Sequence, residues 1–453
     1  MNSIIKKEKL YPIITFVFIL SFYLFYALYD GYFVFPDSDS YISMRITRTF
    51  FYPMFLYIVR FLCQGNDIYL LFVVIAQSIL AAVCAFSLVE YLRRSLKLPK
   101  IISFILLLLP MLVSLMTRYV AGRAAMYTNS IMTEGITISL YLLLFRFLLE
   151  YINTHVNKFI IYSTIVSFIM YSTRQHMAIT AVLVFLAIIY VYIKKKKIVK
   201  GLVISIVTVI CIYSLSTGVD IAYNSIYRSN VAEGSGDNRF LLTMIFYTAE
   251  LSDGEYIEDA KVQELFNDIY EVCDTNELTL KYATGLPLEM SHHYATHYDL
   301  IQINNMWPMI RDFAHSNYDI GPGDELELYV DEISVYMIKE LLPHVVPELM
   351  IVFSNSFLTG LVTTVATENS ILLFCACIAY LALIALFIYN AYNKKWNMVM
   401  EFALFSFLGI IVNVSVVASQ IFCQSRYTIY NMPLFYMAGL LLLYHAFRGE
   451  EKR

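Results

Sequence analysis

The chain has 453 residues, of which 59% are hydrophobic and 15% charged, with a mean hydropathy of +0.63. A soluble domain of this length would carry about a quarter charged residues, so the composition excludes an ordinary soluble fold and indicates an all-α polytopic membrane protein. The net charge of −4 hides an asymmetry: 24 of the 36 acidic residues but only 6 of the 32 basic ones lie between Asp220 and Glu348, which argues against a nucleic-acid partner.

A bilayer span takes about 20 apolar residues, and cytoplasmic connectors collect Lys and Arg. The first apolar run, Tyr11 to Phe35, is longer than the apolar core of a signal peptide, and no small-residue cleavage site follows it. It reads as a retained first helix. Directly after it comes Phe35-Pro36-Asp37-Ser38-Asp39-Ser40-Tyr41, two carboxylates at the border of a span. Phe50 to Leu62 is too short and too interrupted to cross, so it is expected to lie along the interface. Ten spans are expected, at 11–33, 68–91, 101–117, 134–150, 159–173, 177–193, 198–217, 370–391, 397–418 and 429–447.

With ten spans, every short basic connector falls on one side. These are Lys6-Lys7 with Lys9, Arg93-Arg94 with Lys97 and Lys100, Lys158, Lys194 to Lys200, Lys394-Lys395, and the tail from Arg448 to Arg453. That side, with both termini, is expected to be cytoplasmic. The other side receives 34–67, 118–133, the break at Ser172 to His176, an acidic segment of 218–345, and 419–428. The expected domains are an N-terminal transmembrane module of seven spans (1–217), an extracytoplasmic acidic segment (218–345), and an interfacial stretch followed by three spans (346–453).

Within the acidic segment, Val262, Leu265, Phe266, Ile269, Tyr270 and Cys273 space an amphipathic helix over 258–273, and Val330, Ile333, Met337 and Leu341 another over 326–342. Gly234-Ser235-Gly236 and Gly321-Pro322-Gly323 read as turns. His293 and His297 form an i, i+4 pair beside His292 that could ligate zinc, but no third ligand is fixed by spacing. The seven cysteines sit mostly in apolar runs and imply no disulfide framework.

Ionisable residues in or beside spans are rare and default to functional candidates. Asp37, Asp39, Arg45, Arg48, Arg118, Arg123, Glu134, Arg174, His176 and Arg426 all fall at the non-cytoplasmic ends of spans or in the attached loops. A carrier would place polar residues nearer the midplane. A set gathered at one face suits a cavity where a lipid headgroup meets a water-soluble partner. Each residue also has a plain structural reading. Asp37 and Asp39 could be the solvated end of a helix, and Glu134 could serve the dipole of the helix it opens, with Thr133 as its N-cap. Arg174 needs a partner that a carboxylate or a phosphate would supply, and Arg426 with Tyr427 could snorkel to the interface.

In chain order, Asp37-Ser38-Asp39-Ser40-Tyr41, Arg48 with Tyr52-Pro53, Thr133-Glu134, Arg174 and Arg426-Tyr427 resemble the motifs of the GT-C superfamily, membrane glycosyltransferases that use polyprenyl-phosphate-linked sugars. The likeness covers most of the chain in order and topology, although Arg174 precedes Gln175 where many members have proline. It implies a bacterial inner-membrane enzyme that moves a sugar from a polyprenyl-phosphate donor to a lipid-linked or surface glycan acceptor on the extracytoplasmic face, with inversion. The same resemblance puts the catalytic base on Asp37, with Asp39 as helper. No cofactor is required; a divalent metal, if used, would fall to Asp37 and Asp39. Arg174, Arg426, Arg118 and Arg123 would hold the donor phosphate, supported by Tyr41, Arg48, Glu134, His176 and Tyr427. Two other functions stay open. An O-antigen-type polymerase would rely on arginines in its external loop, and a lipid or polysaccharide flippase should show internal repeats and midplane charges.

Overall fold

The structure, a computed structural model, describes residues 2–66, 68–122, 124–227, 238–318, 320–366, 370–393 and 396–447. These residues are helical almost throughout and form no named strand; their only extended pairing is an isolated bridge between Phe33 and Ser130. The fold is an all-α polytopic membrane protein.

The first half of the chain is a bundle. It begins with α1 (Asn2–Asp30), which Gly31 ends with φ +70, the left-handed conformation that suits glycine after a helix. Short α2 (Ser38–Ile42) and α3 (Phe51–Leu62) follow at one end of the bundle. The chain then runs back and forth through α4 (Tyr69–Leu96), α5 (Lys100–Met116), α6 (Glu134–Thr154), α7 (Asn157–Thr173), α8 (Ile179–Lys194) and α9 (Ile198–Tyr227). A polar lobe comes next: α10 (Asn238–Thr248), α11 (Ala260–Thr275), α12 (Pro287–Asp299), α13 (Trp307–Tyr318) and the long α14 (Asp324–Val365). The bundle is completed by α15 (Ser370–Asn393), α16 (Met398–Ala418), the short α17 (Ser425–Thr428) and α18 (Met432–Phe447).

Pairings between distant residues show which ends lie together. Tyr11 donates to the Lys100 carbonyl at 2.8 Å, Lys194 pairs with Glu401, and Asn397 Nδ2 lies 2.7 Å from His445 Nε2. The connectors carrying Lys97, Lys100, Lys158 and Lys194 to Lys200 therefore gather at one end, here the basic end. Lys394-Lys395 and the tail from 448 lie outside the described residues, as do the expected turn at 234–236 and Arg123.

Nine helical runs among the described residues are at least 18 residues long and apolar enough to cross a membrane, α5 and α8 counting with the adjoining 3-10 turns that extend them to Lys100–Tyr119 and Gln175–Lys194. The nine include α14 and leave out α7 and α18, of 17 and 16 residues, although both fall where spans are expected. α14 meets the bundle along its last turns, where Phe353, Phe357 and Leu361 pack against the bundle core. Thr428 donates to Thr363 at 3.2 Å and Tyr436 to the Val365 carbonyl at 2.6 Å, so the helix stops beside the first turns of α18. The outward faces of α9 and α15 stay apolar and exposed (Val203, Ile210, Phe374, Leu381), as surfaces in contact with lipid should be. α3 likewise exposes Tyr57, Ile58, Phe61 and Leu62, in keeping with a helix lying at the interface.

α11 forms where its apolar spacing places it, and Asp259 caps it by accepting from the backbone NH groups of Lys261 and Val262. The region from 326 to 352 differs from expectation. An amphipathic helix and a separate interfacial stretch are one 42-residue helix that runs through Pro343 and Pro347. An interior proline costs a helix about 3 kcal/mol. The continuous stripe Val330, Met337, Leu341, Val345, Leu349 and Val352, buried in the lobe core, outweighs that loss. Both expected domain boundaries, at 217 and at 345, accordingly fall inside helices.

Candidate functional site

Asp37 sits at the N-terminus of α2, yet its side chain caps nothing there. Pro36 and the bond from the Phe35 NH to Ser38 Oγ (2.9 Å) set the turn, leaving the carboxylate turned to arginines. Arg48 Nη2 donates to Asp37 Oδ1 at 2.9 Å and Arg426 Nη2 to Oδ2 at 3.3 Å. Arg48 is itself held by Ser40 Oγ at 2.7 Å and lies 4.6 Å from the centre of the buried Tyr41 ring. Burial pushes the Asp37 carboxyl up, but the Arg48 and Arg426 guanidiniums more than offset this and hold it below the usual carboxylate range.

Glu134 lies beneath, at 1% exposure; it accepts from Arg426 Nε at 2.5 Å and forms an ion pair with Arg174, whose Nη1 lies 2.9 Å from Oε1. Its position follows from local chemistry. Gln77 accepts from Tyr52 and donates to the Thr128 and Ser130 carbonyls, which ties α3, α4 and the approach to α6 together. Gly135 is required at this close approach, since a Cβ there would come within 2.4 Å of the Gln77 amide. Thr133 is not the side-chain N-cap expected of it; its hydroxyl instead lies 3.3 Å from Glu134 Oε2. The far wall is pinned to α6 by the Thr137–Tyr430 hydrogen bond (2.9 Å) and by Tyr141 donating to Asn431 (2.8 Å).

Arg174 takes an extended conformation at the end of α7, and Thr49 donates to the neighbouring Thr173 carbonyl at 2.9 Å. The Tyr427 ring lies 5.0 Å from the Arg174 guanidinium and 5.8 Å from that of Arg426, so one aromatic ring serves two like charges. His176 packs edge-on against Tyr427 and Tyr430.

Asp37, Arg48, Arg174, His176, Arg426 and Tyr427 line a cavity of about 850 Å³ between the bundle end and the lobe. Asp39 and Arg45 stand at its rim, paired with each other at 2.9 Å and 67% and 60% exposed. Arg118 is not part of this cavity. Its guanidinium instead bonds the buried Asp30 at 2.9 Å. The residues do not fit a two-aspartate metal site: Asp37 is taken by Arg48 and Arg426, and Asp39 by Arg45. Among the described residues no group of three or more His, Cys, Asp or Glu could hold a metal ion, and His297 Nδ1 is bonded to the His293 carbonyl.

The lobe closes the cavity with residues that sequence reasoning passed over: Arg239, Gln302, Trp307, Arg311 and Glu327. The i, i+4 spacing of Trp307 and Arg311 on one helix was the signal available for part of this wall. No protein-family model, curated protein or solved structure matches the chain.

Proposed function

We propose that the chain is a membrane glycosyltransferase that moves a sugar from a polyprenyl-phosphate donor to a lipid-linked or surface glycan acceptor, with Asp37 as the base. One observation carries this reading: an ionised carboxylate faces a cavity between apolar bundle and polar lobe, with three arginines within one or two contacts of it. A lipid-linked donor needs an apolar surface for its tail and cations for its phosphate, and both meet at this border.

In the reaction, the acceptor hydroxyl oxygen attacks the anomeric carbon and gives its proton to Asp37. The bond from that carbon to the phosphate oxygen breaks, and the phosphate leaves with the electron pair, its charge held by Arg426 and Arg174. A single displacement inverts the anomeric centre. An entering phosphate competes with Asp37 for Arg426, which loosens the grip that keeps the carboxyl weakly basic. By the positive-inside rule the basic end is cytoplasmic, so the cavity faces outward across a bacterial inner membrane and both termini lie inside.

The test is transfer from polyprenyl-phosphate sugars in isolated membranes carrying the parent chain or Asp37→Asn. The variant should insert normally and transfer at least about 100-fold more slowly; an Asp37→Asn enzyme nearly as active as its parent would remove the base. Alkaline phosphatase fused after Asp253 should be active, and an inactive fusion would invert the orientation. A polymerase is the second reading, favoured by Arg239 and Arg311 in the cavity wall. It predicts that Arg239→Gln abolishes chain extension while Asp37→Asn does not.

A further inference from the structure

The lobe side of the cavity has a chemistry of its own. Arg239 lies 4.5 Å from the centre of the Trp307 ring and makes no ion pair among the described residues, while Arg311 lies 5.6 Å from the same ring. Arg311 Nε reaches Glu327 Oε1 at 3.4 Å, a long contact that leaves much of its hydrogen-bonding capacity unspent. Gln302 borders the same space at 5% exposure, and its side-chain nitrogen has no hydrogen-bond partner. A buried amide without a partner is costly and calls for a ligand or water. Gln302 also belongs to a π-helical stretch, Leu300–Met306, that leads directly into Trp307. Such stretches are rare and recur at functional sites. Asp299 and Asp324 border the cavity too and offer acceptors for hydroxyl groups.

We infer that this wall is a subsite for an anionic sugar unit of a glycan, its carboxylate or phosphate held by Arg239 and Arg311 beside Trp307 and its hydroxyls by Gln302 and the flanking acids. A neutral glycan would leave the Arg239 charge uncompensated against the indole, whereas an anionic one compensates it without breaking an existing pair. The assignment of the bound glycan as acceptor rests on the glycosyl-transfer reading; the subsite itself does not.

The chain has two tryptophans, and Trp396 bonds Tyr190 at the basic end. In the full chain carrying Trp396→Phe, emission therefore reports Trp307 alone. Titration with D-glucuronate and glucose 6-phosphate should quench it saturably, at concentrations about tenfold below those needed with glucose or inorganic phosphate. The tighter of the two charged sugars names the anion. Arg239→Gln should abolish the preference, and Glu327→Gln, which releases Arg311, should strengthen binding, a gain that misfolding cannot produce. Equal quenching by glucose, or by inorganic phosphate alone, overturns the subsite, as does a Glu327→Gln chain that binds no better than its parent. Binding intact in a parent chain that transfers nothing would sink the transferase reading and leave the subsite standing.

Discussion

The two walls of the cavity both present arginines but compensate them in opposite ways. On the bundle side, Arg48, Arg174 and Arg426 are each engaged by Asp37 or Glu134, and the latter is buried at 1% exposure. On the lobe side, Arg239 rests on Trp307 with no ion pair among the described residues, and Arg311 holds Glu327 only at 3.4 Å. The bundle side is preorganised, so removing one of its charges strands another in a poorly hydrated place. The lobe side is loosely compensated: Arg239 can accept ligand charge without first giving up a pair, and Arg311 gives up only a long one. Substitutions should therefore be severe on the bundle side and graded on the lobe side.

The largest effect is expected at Asp37. Replacement by Asn keeps the shape but removes the proton acceptor, and loss of a positioned base costs about 10²- to 10⁴-fold in rate. Transfer measured per unit of inserted protein checks this; a rate within threefold of the parent would place the base elsewhere. Next comes Glu134→Gln, which leaves Arg174 and Arg426 sharing a neutral amide. Losing one partner of a buried pair costs roughly 3–5 kcal/mol, so thermal unfolding in detergent should move sharply downward. If it does not, the two walls differ less than their geometry implies. Gly135→Ala should cost about 1–3 kcal/mol by overpacking, because the new methyl group meets the Gln77 amide at 2.4 Å. The loss should shrink when Gln77 is shortened to Ser in the same chain.

Much of the bundle side could be read from sequence, because membrane burial makes every charge conspicuous. Asp37, Arg48, Glu134, Arg174 and Arg426 stand out against apolar neighbours, and their shared depth follows from counting spans. The geometry separates Asp37 from Asp39, since only Asp37 lies between arginines of different segments. The lobe side was obscured for the converse reason. Between Asp220 and Glu348 charges are common, so Arg239 and Arg311 carried no contrast. Only folding brings α10, the π-helical stretch and α13 to one wall. Arg118 shows the limit of reasoning by depth: it lies at the expected end, but Asp30 claims it outside the cavity.

The ionisation of Asp37 gives a finer test. A carboxyl held below its unfolded value stabilises the fold fully above the ordinary carboxylate range and loses that contribution as pH falls through the lowered value. The acid limb of kcat/KM should therefore lie below the ordinary carboxylate range, since it reports the base in the free enzyme. Arg48→Gln removes one of the two cations while burial remains, so that limb should move upward in pH. An acid limb that stays in place would mean that Arg48 does not set the proton affinity of the base.

The smallest effect is expected at the rim. Asp39 and Arg45 form an ion pair at 2.9 Å, as short as that between Asp37 and Arg48, but at 67% and 60% exposure. Water and salt already solvate both charges, and exposed pairs of this kind contribute about 0–1 kcal/mol. Asp39→Asn and Arg45→Gln should thus leave unfolding nearly unchanged and lower transfer by less than about tenfold, with any loss fading as salt is raised. A loss at Asp39 as deep as at Asp37, and independent of salt, would mean that substrate draws the rim aspartate inward. The two carboxylates of the first loop would then act as a unit, and the contrast would lie between the loop and the lobe, not between Asp37 and its neighbour.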